Sequence, residues 1–512
     1  MLVKVYGASV QGLSAILVTV EVNSSKGVKF YLVGLPDNAV KESHQRIMAA
    51  IENSGFCYPS RRFVVNLAPA DIRKEGAGFD LPIAVAILAT DGKVKADKLP
   101  RTMMVGELSL DGGLQPVKGV LPIAIKAREM GFESLIVPEQ NVREAAVVNR
   151  LKVYGANHIC QVVRFLNGEG ELEPTEIDTR AEFYAQQSQF DFDFADVKGQ
   201  ENVKRALEVA AAGGHNVIMI GPPGSGKSMM AKRLPSILPP LSLSESLETT
   251  QIHSVAGKLG RDSSLIAQRP FRAPHHTISQ IALVGGGSNP QPGEVSLAHN
   301  GVLFCDELPE FSRAVLEVLR QPLEDRQINI ARAKYSITYP CSFMFVASMN
   351  PCPCGYYNHP TKACVCTPGQ IHRYLHKISG PLLDRIDLQI EITPLSFEEL
   401  SRTAPGESSA TIRERVVRAR KVQEERYAGE NGVHCNAQMT PRLLREHAVL
   451  DERCTEMLRA AMTRLQLSAR AYDRILRVAR TIADLAGGGP IQLEHIAEAI
   501  GYRNLDRSNW GE

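Results

Sequence analysis

Apolar positions in the first 165 residues alternate with polar ones or fall into short runs, the pattern of half-buried strands mixed with helices. Met1-Leu2-Val3-Lys4-Val5-Tyr6-Gly7 alternates along its length and predicts a strand, as do Val28–Val33, Arg62–Leu67 and Met103–Val105. Asn38–Ser54 and Leu81–Thr90 have the length and spacing of helices. From Asn167 to Asp193 the chain turns polar and acidic, as in Gly168-Glu169-Gly170-Glu171-Leu172-Glu173-Pro174, which is the composition of a linker. Strand-length apolar runs then recur at Val217–Ile220, Val302–Cys305 and Ser342–Ala347, separated by helical or looped stretches. That order predicts an α/β domain with a mostly parallel sheet. After Pro394 the strands stop, and residues 397–502 read as successive amphipathic helices with breaks near Pro405-Gly406, Gly429–Gly432 and Gly487–Pro490. The expected organisation is a mixed domain over residues 1–165, a linker over 166–192, an α/β core over 193–395 and a helical domain over 396–512.

Composition changes this picture little. With 512 residues, 44% hydrophobic and 22% charged, the chain has material for two or three soluble domains. A net charge of +2 gives no global case for nucleic-acid binding, so any such contact must come from a local basic surface. No run of about 18 apolar residues predicts a membrane span, and the N-terminus lacks the apolar core of a signal peptide. A cytoplasmic address is expected, where cysteines stay reduced.

The chemistry concentrates in a few places. Gly221-Pro222-Pro223-Gly224-Ser225-Gly226-Lys227-Ser228 follows a buried-strand run and opens a helix, matching the phosphate-loop pattern. Glycines let backbone amides close around phosphate oxygens. Lys227 is placed to neutralise β- and γ-phosphate charge and the Ser228 hydroxyl to join a Mg²⁺ shell. The bland alternative is a glycine-rich turn. Val302-Leu303-Phe304-Cys305-Asp306-Glu307 is a buried strand ending in two acids, where a sheet's carboxyl edge faces ligand. Asp306 is expected to hold Mg²⁺, and Glu307 to polarise an attacking water beside the γ-phosphate of ATP. A third strand leads through Ser348-Met349 to Asn350, an amide able to orient that water. Arg385, in Gly380-Pro381-Leu382-Leu383-Asp384-Arg385-Ile386-Asp387, follows a short helix and is expected to reach a neighbouring subunit's nucleotide. Arg470 and Arg474 sit one turn apart on a late helix; one of them senses nucleotide, or both are solvated charges.

Cys352-Pro353-Cys354 and Cys364-Val365-Cys366 form two C-x-C pairs across a nine-residue loop. Four thiolates from two such turns can complete a tetrahedral Zn²⁺ shell; a reducible disulfide pair and a free-thiol loop are the alternatives. A hairpin is expected from Ile328 to Ile337, with Arg332 and Lys334 near its tip as phosphate-contacting or merely solvated charges. His275 and His276 on an extended segment should point apart, which favours structural or subunit-contact roles over metal binding.

Arg269–Thr277, Gly285-Gly286-Gly287, Pro292-Gly293-Glu294, Gly301–Phe311 and Leu319–Glu324 carry a close resemblance to the ComM/YifB family of magnesium-chelatase-like AAA+ ATPases, and the match runs over nearly the whole chain. The resemblance implies Asn350 as sensor 1, Arg385 as an arginine finger acting in trans, Arg470 as sensor 2, and a hexameric ring. Residues 255–300 resemble the helix-2 insertion of the magnesium-chelatase and MCM clade, whose loops project into a central pore. The N-terminal region is similar to the Lon-type protease domain (ribosomal S5 domain 2-like) through Lys74–Asp80, Val105–Gly112 and Ala127–Val137. Lon enzymes use a Ser–Lys dyad, but Gly78 stands where the serine belongs. Val117–Ile123 has apolar residues where the lysine is expected, and Lys118, the nearest, sits where that family has glycine. A non-proteolytic assembly or substrate-binding module is therefore expected.

The resemblance implies a DNA-acting motor for branch migration or helicase work, as in recombination of transforming DNA. The competing class is a chelatase-type ATPase remodelling a protein partner. An ATP-dependent protease is disfavoured by Gly78, and a non-enzymatic scaffold by the intact set Lys227, Asp306, Glu307 and Arg385.

Overall fold

The computed structural model describes residues 1–512 apart from 171, 261–262, 288–289, 333–334, 358, 395–405, 431 and 504–512. Contacts divide the chain into two compact units. One comprises residues 1–186, 243–267 and 331–339; the other comprises 187–242, 268–330 and 340–512.

The first unit is built on a seven-stranded mixed sheet. Its strands are β1 (Leu2–Gln11), β2 (Ser14–Ser25), β3 (Phe30–Val33), β4 (Arg62–Ala68), β5 (Thr102–Met104), β6 (Ser134–Pro138) and β7 (Lys152–Ala156), in the order β3-β4-β2-β1-β5-β6-β7. The β1–β2 pair is antiparallel from Leu2↔Asn23 to Gln11↔Ser14, while β5, β6 and β7 run parallel. The alternation that predicts β1 is borne out, with Val3 and Val5 turned into the core. Two expected strands shift at their ends: Val28–Val33 starts at Phe30 and Met103–Val105 spans Thr102–Met104.

Helix α1 (Asn38–Asn53) lies against α2 (Asp80–Thr90), every residue of which is buried. A helix apolar all round belongs in a core, yet α2 opens on Asp80, fully inaccessible to solvent. Arg46 of α1 answers that charge through Nε at 2.8 Å and Nη2 at 3.1 Å, and the Leu108 amide donates at 3.3 Å. Burial pushes the Asp80 carboxyl up to about 6, against the opposing pull of Arg46.

The first unit also claims α6 (Leu243–Ala256), although this helix lies in sequence between the phosphate-loop helix and the acidic strand. Ser254 of that helix donates to the buried Glu144 carboxylate, and its carbonyl accepts from the Gly119 amide at 3.1 Å, at the start of α3 (Val120–Glu129). The polar stretch expected as a linker holds a helix, Thr179–Gln186, anchored by buried Phe183 and by Glu182 on Arg143 at 2.8 Å. Its polarity is that of a surface helix with one apolar anchor.

The second unit carries a five-stranded parallel sheet. Its strands are β8 (Val217–Ile220), β9 (Phe271–Arg272), β10 (Val302–Cys305), β11 (Met344–Met349) and β12 (Leu388–Glu391), in the order β9-β10-β11-β8-β12. Every residue of β8, β10 and β11 is buried, as parallel strands covered on both faces require. The strand expected at Ser342–Ala347 lies two residues later. Helices α8 (Ser409–Arg426), α9 (Pro441–His447), α10 (Glu452–Leu465), α11 (Ala469–Leu485) and α12 (Leu493–Gly501) make the helical region, with the expected breaks before α9 and after α11. The start of that series at 397 and the break at Pro405 lie outside the described residues. The hairpin pairs Gln327–Arg332 with Tyr335–Pro340; Lys334 and the side chain of Arg332 are also outside them. Among the described residues no helix is long and apolar enough to cross a membrane.

Asp80 titrates near 6 in the fold and near 3.9 in an unfolded chain. Its contribution is therefore fully present below about pH 4 and lost as the pH rises through 6. Arg46→Leu removes the opposing charge and should destabilise the first unit by about 3–5 kcal/mol at pH 8. The loss should be smaller at pH 5, where Asp80 is protonated. Urea unfolding followed by hydrogen exchange of the α2 amides, at both pH values, measures the difference.

Candidate nucleotide site

Three neighbouring parallel strands bring the predicted residues to one edge. Ile220 pairs with Met349 and Cys305 with Ala347, so Gly221, Asp306 and Asn350 follow the carboxyl ends of β8, β10 and β11. A crevice outside those ends is where open α/β sheets bind ligand.

The loop Gly221–Ser228 leaves β8 with the Gly221 amide donating to Met349 O at 3.2 Å. Gly224 and Gly226 hold φ of +78° and +87°, a region a Cβ would strain, so glycine is required for the chain to wrap. Gly226 leads directly into helix α5, Lys227–Arg233, and no side chain caps its first turn. The buried Lys227 ammonium folds back to donate to Gly221 O at 2.7 Å, Pro222 O at 2.9 Å and Asn350 Oδ1 at 3.3 Å. Burial lowers its pKa, and the charges of Asp306 and Glu307 resist that shift.

Ser228 Oγ donates to Asp306 Oδ2 at 2.7 Å. The other carboxylate oxygen takes the hydroxyl of Ser348, a fully buried side chain, and the Glu307 amide at 3.1 Å. Glu307 itself sits at φ +52°, uncommon for a side-chain-bearing residue and of the kind that gathers at functional sites. Its carboxylate is 59% exposed, with His276 Nδ1 at 4.0 Å. Sequence reasoning gave Ser348 no part in the site and did not place His276 beside Glu307. The histidines do not point apart as expected: their rings lie 4.1 Å apart at 33°. The Ile278 amide bonds His275 O at 3.0 Å, so the segment turns instead of continuing as a strand.

The arginines divide differently. Arg385, expected to be presented outward, is only 8% exposed; it pairs with Glu324 and donates to Pro381 O. A guanidinium withdrawn from water needs such a countercharge. On α11, Arg474 reaches buried Asp387 at 2.7 Å, and the 69%-exposed Arg470 reaches Asp384 at 2.9 Å. Burial would raise the Asp387 pKa, but Arg474 and His215 reverse that and hold it far below the usual carboxylate range.

Beyond Asn350, the four cysteines Cys352, Cys354, Cys364 and Cys366 gather with all sulfurs within 4.8 Å of one another. Cys352–Cys354, Cys354–Cys364 and Cys352–Cys364 lie at 3.3, 3.5 and 3.7 Å. Those spacings exceed a disulfide's ~2.05 Å. Amides of Tyr357, Cys354 and Cys366 point at the sulfurs of Cys352, Cys366 and Cys364 from 3.3–3.4 Å.

In the first unit, the atom nearest to a Cβ built on Gly78 is Val117 Cγ1 at 3.7 Å. Lys118 instead lies along Gly257. Buried Lys74 donates to Ile72 O at 2.7 Å and to Pro69 O.

Three family models match in succession: "Subunit ChlI of Mg-chelatase" over residues 20–141, "Magnesium chelatase, subunit ChlI" over 193–400, and "Magnesium chelatase, subunit ChlI C-terminal" over 406–503. The chain is 34% identical over 149 residues to Lon protease 2 of Bacillus subtilis, covering 28% of this chain and 27% of that protein. This accords with a Lon-like N-terminal fold. It is 45% identical over 503 residues to YifB of Escherichia coli K12, 97% of this chain and 96% of that one. With the Competence protein ComM of Haemophilus influenzae the identity is 46% over 509 residues, 98% and 97% of the two chains. End-to-end likeness of that kind, over a sheet whose edge carries a phosphate loop and an acidic strand end, places the chain in the ComM/YifB family of magnesium-chelatase-like AAA+ ATPases.

Proposed function

We propose that this chain hydrolyses ATP as a motor, assembles as a hexameric ring and acts on DNA in branch migration or a helicase-like reaction, as in recombination of transforming DNA. The observation that carries the ATPase reading is the convergence of Lys227, Ser228, Asp306 and Asn350 through direct hydrogen bonds at one sheet edge. The groups fit a Mg-nucleotide: an ammonium now bonded to its own loop can turn to phosphate oxygens, and a serine–aspartate pair offers oxygen ligands. Ser228 and Asp306 would hold Mg²⁺, which when bound neutralises phosphate charge. The loop amides and Lys227 bind and orient the triphosphate, Glu307 accepts the proton of the attacking water, and Asn350 positions that water. Ser348 keeps Asp306 aimed. Arg385 serves a neighbouring subunit's nucleotide once released from Glu324. Arg470 is the nucleotide sensor of the helical domain, because Arg474 is committed to buried Asp387.

The functional division we propose is a non-proteolytic module over 1–165, a linker over 166–192, the motor core over 193–395 and the sensor-bearing lid over 396–512. The four cysteines are read as a Zn²⁺ site. DNA as partner is supported by the family and by the relative's name as a competence protein. The chelatase names of all three family models favour a second reading, an ATPase that remodels a protein partner.

Lys227→Ala should abolish binding of a fluorescent ATP analogue, whereas Glu307→Gln should bind it and lose about 10²–10⁴-fold in turnover. Arg385→Ala should also bind ATP, with turnover down about 10³-fold; normal hydrolysis by that variant would refute the trans assignment. Ser348→Ala should weaken the Mg²⁺ dependence of ATPase activity about 10–100-fold, read from a magnesium titration at saturating ATP. ATPase rates with single-stranded, duplex and branched DNA decide between the two readings. Stimulation that declines steeply with salt supports DNA, and no response to any DNA points to the protein partner.

A further inference from the structure

The four-cysteine knuckle is fastened to the phosphate loop at two points, neither of them a cysteine. The sequence Asn350-Pro351-Cys352-Pro353-Cys354-Gly355 leaves β11 and puts two of the four sulfurs between its end residues. At one end Asn350 Oδ1 accepts from Lys227 Nζ at 3.3 Å. At the other, Gly355 lies so close over the loop that a Cβ there would meet Pro223 Cδ at 2.6 Å and Cγ at 2.9 Å. Gly355 also holds φ +84° and donates its amide to Cys352 O at 3.0 Å, so its position follows from the turn that presents the first two thiols.

Cys352 is buried, but Cys354, Cys364 and Cys366 are partly exposed. Four sulfurs on a tetrahedral ion at Zn–S of ~2.3 Å stand about 3.8 Å apart, close to the 3.3–3.7 Å among Cys352, Cys354 and Cys364, with the Cys366 sulfur within 4.8 Å of all three. The amides aimed at three of the sulfurs supply the hydrogen bonds that hold ligating thiolates in place.

Resting on the zinc and nucleotide readings above, we propose that a thiolate-bound Zn²⁺ at Cys352, Cys354, Cys364 and Cys366 sets the shape of the phosphate loop, so that occupancy of this site controls affinity for ATP. Metal fixes the turn, and the turn fixes both Asn350 against Lys227 and Gly355 against Pro223. Without metal the thiols lose their common partner and both supports loosen.

The test uses the full chain. Zinc per chain is counted by mass spectrometry of the metal. Binding of a fluorescent ATP analogue is then measured on the loaded protein, after removal of zinc with a zinc-selective chelator that spares Mg²⁺, and after zinc is restored. One zinc per chain is expected, with affinity falling at least about fivefold on removal and returning on restoration. Gly355→Ala removes no ligand, but its methyl meets Pro223 and its φ of +84° strains the turn that presents Cys352 and Cys354, so its zinc is counted too. By either route its ATP affinity should fall at least about fivefold. The proposal is overturned if the purified chain takes up no zinc, if zinc-free protein binds ATP as tightly as loaded protein, or if Gly355→Ala binds it unchanged. Loaded wild type that holds zinc but binds no ATP sinks the nucleotide reading, and the coupling with it, while leaving the metal site standing.

Discussion

The hydrogen-bond register of three parallel strands is the constraint from which the rest of the nucleotide site follows. Because β8 ends opposite Met349 and β10 opposite Ala347, two residues earlier on β11, the residues that follow all three strands share one edge, with Asp306 level with Ser348. Lys227, Ser228, Asp306 and Asn350 then need only short contacts to form one polar cluster. A slip of one residue in any ladder would turn each side chain of that strand to the opposite face. The runs Val217–Ile220, Val302–Cys305 and Met344–Met349 are buried on both faces, and such a slip of β11 would take the Ser348 hydroxyl away from Asp306.

Charge organises the helical region in a comparable way. The segment Asp384-Arg385-Ile386-Asp387 places three charged residues within four positions, and each is answered from outside the segment. Arg470 and Arg474 of α11 take the two aspartates, and Glu324 takes the arginine. Asp387 is buried, and a buried carboxylate that loses its partner costs far more than one on the surface. The short segment that bears Arg385 is thereby tied to α11 on both sides of the arginine.

Much of this was legible in the sequence because it is local. Glycine spacing with a following lysine and serine specifies a loop, and an apolar run ending in two acids specifies a strand end, wherever the chain goes next. The Lon-like fold and the helical C-terminal region were readable for the same reason, through periodicity and family motifs. What escaped depends on distant neighbours. Ser348 looks like any small strand residue until β11 is set beside β10 and its hydroxyl meets Asp306. Glu324 stands 61 residues before Arg385, and nothing in its own context marks it as a countercharge. The histidine pair failed for a different reason: a rule for extended chain was applied to a segment that turns. No amphipathic pattern can say which of two cores a helix joins, so the membership of α6 was invisible.

That membership has a topological corollary. The polypeptide leaves the second unit after Ser242, contributes a helix to the first, and comes back at Gln268 before making β9 and the acidic strand. Neither unit is thus a continuous stretch of chain. A single scission between residues 186 and 187 would liberate no intact module, since the fragment carrying the phosphate loop would retain an α6 deprived of Glu144 and the Gly119 amide.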